Sequence, residues 1–329
     1  MDMLASKKTA SSRADGKSER RPVIIDFHTH VMPPEMAAAP FWQGRCPMTI
    51  ENVFEAAKAG GIDKTVISNP GHELRHMTAD QQLAAIQMIN RYLASLAHKH
   101  DNIYAMATGQ PYGGDKFLRE TEHAVREDGA KAVIILSSLP GHYPDDDDAL
   151  PFFELMTSLD VPVFVHPPSI GFGEERLNIY RLASSVGRPM DGALAIARLI
   201  VRGVFEKFPQ LKLVASHLGG GICEMIGRMD YAYNLQEEAY FLGPYEPMLI
   251  KHPPSHYLKM MYIESTCYWA PGARCALDSV GVDRFIFGTD APPLKPLKKA
   301  GVDIIKSLKL SPADEAKVFS QNARRLLKI

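Results

Sequence analysis

Val23-Ile-Ile-Asp-Phe-His-Thr-His30 is an apolar run that ends in two histidines one residue apart. In an extended segment the side chains at i and i+2 point to the same face. His28 and His30 therefore converge on one point at the C-terminal end of a strand. Alone, such a pair is as easily a surface feature. Buried, two neutral imidazoles are costly unless something pairs them, and a divalent metal pairs them well.

Working outward, short β-branched runs recur at 64–68, 103–108, 132–137, 161–166, 212–217, 261–265 and 284–289, which with 23–30 makes eight. Several are continuous apolar stretches, as expected of strands covered on both faces in a parallel sheet. Between them lie amphipathic segments at 49–59, 79–98, 116–127, 150–159, 191–207 and 273–280. Eight alternating units predict an α/β fold, a (β/α)8 TIM barrel, over a single domain spanning 21–329. No glycine-rich dinucleotide fingerprint follows the first strand, which weakens the Rossmann alternative. The long stretches 33–47, 167–188 and 234–259 read as insertions at the C-terminal rim, where barrel enzymes build their sites.

Composition narrows the function classes. Lys plus Arg, 37, nearly balances Asp plus Glu, 38, so no global field calls for nucleic acid or a membrane surface. Cys46, Cys223, Cys267 and Cys275 lack CxxC spacing and read as reduced thiols in a cytoplasmic protein. No apolar run approaches the roughly 18 to 20 residues that span a bilayer. Residues 1–20, rich in Lys, Arg, Ser and Ala, read as a disordered tail outside the fold.

Metal-binding side chains recur at the strand ends. The fifth strand ends in His166, the sixth in His217 with Gly219-Gly220-Gly221 behind it, and the eighth in Asp290. In a barrel all of these share one rim with His28 and His30. Nitrogen ligands with one carboxylate suit zinc, with manganese or iron as alternatives.

On these residues the chain resembles the amidohydrolase superfamily, and within it the α-amino-β-carboxymuconate-ε-semialdehyde decarboxylase-like branch. The resemblance is carried by Gly203-Val-Phe-Glu-Lys-Phe-Pro-Gln-Leu-Lys-Leu-Val214 running into Ser216-His217-Leu218-Gly219, by Phe164-Val165-His166-Pro167 and by Gly288-Thr289-Asp290. It implies His28, His30, His166 and Asp290 as ligands of one divalent metal, and His217 and Asp290 as the catalytic pair. The carboxylated lysine that bridges two metals in many members has no counterpart at the end of strand four, which favours one metal. The resemblance also implies a homodimer or homotetramer, for which the Pro-, Tyr- and Leu-rich segment 240–257 offers an apolar surface.

Substrate recognition is less legible. Where the semialdehyde decarboxylases carry a carboxylate-gripping arginine, this chain has Gln236, which cannot form a charge-assisted fork. Arg45 is the expected replacement, and Tyr268 and Trp269 the expected stacking surface. Arg75, His72 and His76 are further rim residues. The expected partner is a small molecule. The expected reaction is decarboxylation of an aromatic or unsaturated carboxylic acid. Hydrolysis of a lactone, thioester or β-diketone on the same site is the alternative, and a non-catalytic barrel with a structural metal a third.

Overall fold

Each apolar run forms a strand, and the helix that follows it packs back on the sheet. The computed structural model describes residues 21–329 apart from 41, 43, 236–245 and 293–296. Gln236, the 1–20 stretch and part of 240–257 thus lie outside the described residues. The strands are β1 (Ile25–His30), β2 (Lys64–Ser68), β3 (Ile103–Thr108), β4 (Ala132–Leu136), β5 (Val163–His166), β6 (Leu213–Ala215), β7 (Tyr262–Glu264) and β8 (Phe285–Ile286). They pair in sequence order, all parallel. Backbone bonds then join β8 to β1: Phe27 N–H to Phe287 O at 3.0 Å, Asp290 N–H to His28 O at 2.9 Å and His30 N–H to Ala291 O at 2.7 Å. The sheet closes on itself, which removes both edges.

The helices of ten residues or more are α1 (Ile50–Gly60), α2 (Ala79–Lys99), α3 (Asp115–Arg126), α4 (Leu150–Leu159), α5 (Arg188–Val201), α6 (Ile222–Asn234), α7 (Ala270–Val280) and α8 (Leu297–Ser307). Two start as the sequence dictates. Thr49 accepts from Asn52 N–H, and Thr78 with Gln81 closes a reciprocal capping box before α2. The helix expected over 191–207 instead breaks at Gly203, whose φ is +72° and where a Cβ would overlap the Leu249 carbonyl.

Side-chain alternation divides the core in two. Along β4, Ala132 and Ile134 face the barrel interior, while Val133 and Ile135 face the helices and meet Phe152 and Phe153 of α4. Phe27, Phe164, Val214 and Ile286 fill the interior, and Leu326 and Leu327 of the last helical turn close its lower end.

Strand β1 departs from strict alternation. Ile25 and Asp26 pair with Lys64 and Thr65, but Thr29 and His30 pair with Ile67 and Ser68, so three steps on β1 match two on β2. This bulge lets Phe27 fill the interior with Phe164 while His28 and His30 also turn inward. Strands β6 and β8 are shorter than expected because their ends are drawn into side-chain bonds. Gly288 N–H donates to Ser265 Oγ and Thr289 N–H to Asp26.

The loop after β6 approaches α5 so closely that a Cβ on Gly220, at φ +67°, would overlap the Pro189 carbonyl oxygen. Gly220→Ala is expected to destabilise the chain by about 2 kcal/mol or more. Gly227→Ala, on α6 with open space around the added methyl, is expected to stabilise it by about 0.5 kcal/mol. Urea denaturation of both variants checks the pair; equal effects would mean that the loop yields.

Candidate metal centre and active-site cavity

Three histidines at the strand ends have one ring nitrogen tied off and the other turned inward. His28 Nδ1 donates to Glu264 Oε2 at 3.0 Å. Ser68 Oγ spends its own proton on Thr29 O, so it accepts from His30 Nδ1 at 3.1 Å. His166 Nδ1 donates to Pro167 O at 2.8 Å. These bonds leave each Nε2 to the site, where it either carries a proton shared with Asp290 or, without one, offers a lone pair to a cation.

The free nitrogens face one another. His28 Nε2 and His30 Nε2 are 3.1 Å apart, and Asp290 Oδ1 lies 3.0 Å from His30 Nε2 and 3.5 Å from His28 Nε2. His166 Nε2 is buried without a hydrogen-bond partner. The donor atoms of His28, His166, His217 and Asp290 all lie within 4.8 Å of one another. Two lone pairs and a carboxylate at such spacing repel unless a cation lies among them, and an orphaned buried nitrogen asks for the same partner. The residues therefore fit a divalent ion bound by nitrogen and one carboxylate.

Burial and charge set the protonation states. Burial opposes charge on Asp290, but the bond to His30 and the field of His28 outweigh it and hold its pKa well below the carboxylate range. Burial likewise opposes Glu264, yet His28 keeps it ionised and is itself raised by it. Burial lowers His217 to about 4, leaving a neutral imidazole. Asp26, raised by burial to about 6, accepts from His28 N–H and from both Thr289 N–H and its hydroxyl, clamping β1 to the end of β8. His217 and Asp290 both have positive φ, +51° and +55°. Non-glycine residues occupy that region at a cost on the order of 1 kcal/mol each, common where a side chain must be aimed.

A cavity of about 720 Å³ opens above these groups, with His30, His72, His217 and Asp290 at its base and Trp42, Met48, Arg188, Tyr268 and Trp269 among its walls. The fold thus brings together all five expected metal-site residues. Tyr268 and Trp269 line the mouth as expected and are not a packed core pair, since they are 57% and 71% exposed. Arg45 is the exception. Its loop reaches the cavity through Trp42, Pro47 and Met48, and Arg45 itself is not among the lining residues. His76 is exposed; Arg75 instead donates to Ile170 O and pairs with Glu174.

Sequence reasoning missed Glu264 and Arg188. Glu264 is fully buried and accepts from His28, from His217 N–H and from Thr266. A carboxylate inside the apolar run Met261-Tyr262-Ile263-Glu264 was the available signal, because such a group is buried only with partners. Arg188 sits at the end of a long loop and had no such mark.

The chain is 28% identical over 194 residues to 2-amino-3-carboxymuconate-6-semialdehyde decarboxylase of Dictyostelium discoideum, covering 58% of this chain and 51% of that protein. It is 25% identical over 227 residues to gamma-resorcylate decarboxylase of Polaromonas sp., covering 64% of this chain and 66% of that protein. The chain thus spans only about half to two thirds of the length of these relatives. Among solved structures, 5-carboxyvanillate decarboxylase of Novosphingobium aromaticivorans, complexed with manganese and 4-hydroxy-3-methoxy-5-nitrobenzoic acid, superposes with a TM-score of 0.81 at 19% identity. That match covers 98% of this chain and 100% of the other, and the likeness is one of fold. The amidohydrolase family pattern matches residues 25–329, from the first strand to the last helical turn, and the chain belongs to the amidohydrolase family.

Proposed function

We propose that this protein is a metal-dependent decarboxylase of an aromatic or unsaturated carboxylic acid. The observation that carries the reading is the ring of Nε2 lone pairs facing Asp290 beneath a cavity with aromatic walls. The decarboxylase names of the relatives support it. His28, His30, His166 and Asp290 are the proposed ligands. Zinc suits this donor set, and the manganese in the related fold makes that ion the first to compare. A divalent ion there would supply an electrophile that polarises a substrate oxygen next to the reacting carbon.

The chain's own groups then have distinct tasks. Tyr268 and Trp269 hold the unsaturated body of the acid at the cavity mouth. The bond from the substrate carbon to its carboxylate breaks, its electron pair stays on that carbon, and carbon dioxide leaves. The same carbon takes up a proton; ionised Asp290 and neutral His217 are both bases, so the group that delivers it first accepts it from solvent and returns to its resting state on delivery. Glu264 holds His28 in its ligand tautomer and His217 in its turn. We place the protein in the cytoplasm on its scattered, unpaired cysteines, and as a homodimer or homotetramer on the family resemblance.

Elemental analysis is expected to find one divalent ion per chain, and chelation to abolish activity. Two ions per chain, or full activity in chelator, would overturn the ligand assignment. His28→Ala should strip the ion while the far-ultraviolet circular dichroism of the barrel persists, since a core of this size does not depend on it.

His217→Ala is expected to keep the ion and lose turnover by on the order of 10²- to 10⁴-fold. Loss of the ion in that variant would place His217 among the ligands instead.

Carboxyl-labelled gamma-resorcylate, 5-carboxyvanillate and related acids are the substrates to screen, with labelled carbon dioxide as the readout. Release from at least one is expected. No release, together with uptake of water by a lactone, thioester or β-diketone, would replace this reading with hydrolysis on the same site.

A further inference from the structure

Gln236 cannot grip a carboxylate by charge and Arg45 does not line the cavity, so a negatively charged substrate needs another anchor. Arg188 is the one lysine or arginine among the described residues that line the cavity. It is half-buried, and among the described residues no carboxylate lies within the 4.0 Å of an ion pair with it. Several other arginines of the fold are matched: Arg75 with Glu174, Arg91 with Glu120 and Asp128, Arg198 and Arg202 with Asp145. A guanidinium that lines a largely apolar cavity and is held in no ion pair of its own is poised for an anion from outside the chain.

Arg188 is also rigidly placed. It opens α5, and one turn on the buried carboxylate of Asp191 accepts from the hydroxyls of Ser137 and Ser138 and from Phe172 N–H. This locks the start of α5 to the end of β4. On the other side, Gly220 of the His217 loop seats directly against Pro189. The arginine thus lines the same cavity as His30, His217 and Asp290, on two packed supports.

His72 shares the cavity wall. Its ring is 5.5 Å from that of His166, and its Nδ1 is buried with no hydrogen-bond partner. Nothing in the metal-site reading uses it. His72 and Arg188 line the same cavity, where the imidazole adds a hydrogen bond to a ligand group held there.

We propose that Arg188, assisted by His72, is the carboxylate anchor of this site and determines its preference for acids over neutral analogues. The proposal rests on the decarboxylase reading above and names the residue that selects its substrate class. The guanidinium makes charge-assisted bonds to the acid, while the apolar remainder of the ligand lies against Trp42, Met48, Tyr268 and Trp269.

Calorimetric titration of the metal-loaded protein with salicylate and with its neutral amide, salicylamide, tests this, with carbon dioxide release followed alongside. Arg188→Gln is expected to weaken salicylate on the order of 10- to 100-fold and salicylamide by less than about twofold. His72→Phe should weaken salicylate by a smaller factor, about fivefold, in the same selective way. Equal losses for acid and amide, or no loss for either, overturn the proposal. Should Arg188→Gln fail to fold, Arg188→Met carries the test: selective weakening of the acid is expected, and wild-type affinity for both ligands overturns it. Failure of every acid to release carbon dioxide would sink the reaction assignment yet leave an Arg188-dependent acid preference measurable. Carbon dioxide release indifferent to Arg188→Gln would sink the anchor alone.

Discussion

The meeting of the first strand with the last is the constraint on which the site depends. A parallel barrel must bring β8 back to β1, and here the closing bonds run through the same backbone that carries His28, His30 and Asp290. Asp26 reinforces the joint by accepting from His28 N–H on one strand and from Thr289 on the other. Closure and site assembly are therefore one event, and a chain that failed to seal would hold no donor cluster. The bulge in β1 belongs to the same economy, since it supplies inward-facing residues both for packing and for chemistry.

Electrostatically, the cluster sets imidazoles around a carboxylate that stays ionised: Glu264 raises His28, while burial lowers His30, His166 and His217. Burial alone would neutralise Asp290, and its histidine neighbours prevent that. Burial likewise keeps His166 and His217 uncharged, with lone pairs intact. Glu264 is the counterweight behind His28, fully buried and saturated with donors. Such an arrangement is costly when nothing with positive charge sits in it, and the positive-φ conformations of His217 and Asp290 add to that cost.

Much of this was legible from residue order. Parallel strands covered on both faces leave continuous apolar runs, so all eight strands were visible, and a polar residue ending such a run must lie on the rim. That logic located His28, His30, His166, His217 and Asp290. It failed where the deciding interaction leaves no local pattern. The bulge at Phe27–His28 depends on pairing with β2, and the break of the long helix at Gly203 depends on Leu249, far away in sequence. Arg188 was overlooked because a cation in a long loop looks the same whether it faces water or a cavity; its meaning comes from which carboxylates the fold places out of its reach.

The aromatic rim has one more consequence. Trp42 and Trp269 are the only tryptophans in the chain, and both line the cavity. All of the protein's indole emission therefore originates within the wall of the pocket, with Trp269 largely open to water. A ligand entering the cavity displaces solvent from that ring, so the colour and yield of the intrinsic fluorescence report on occupancy with no label attached.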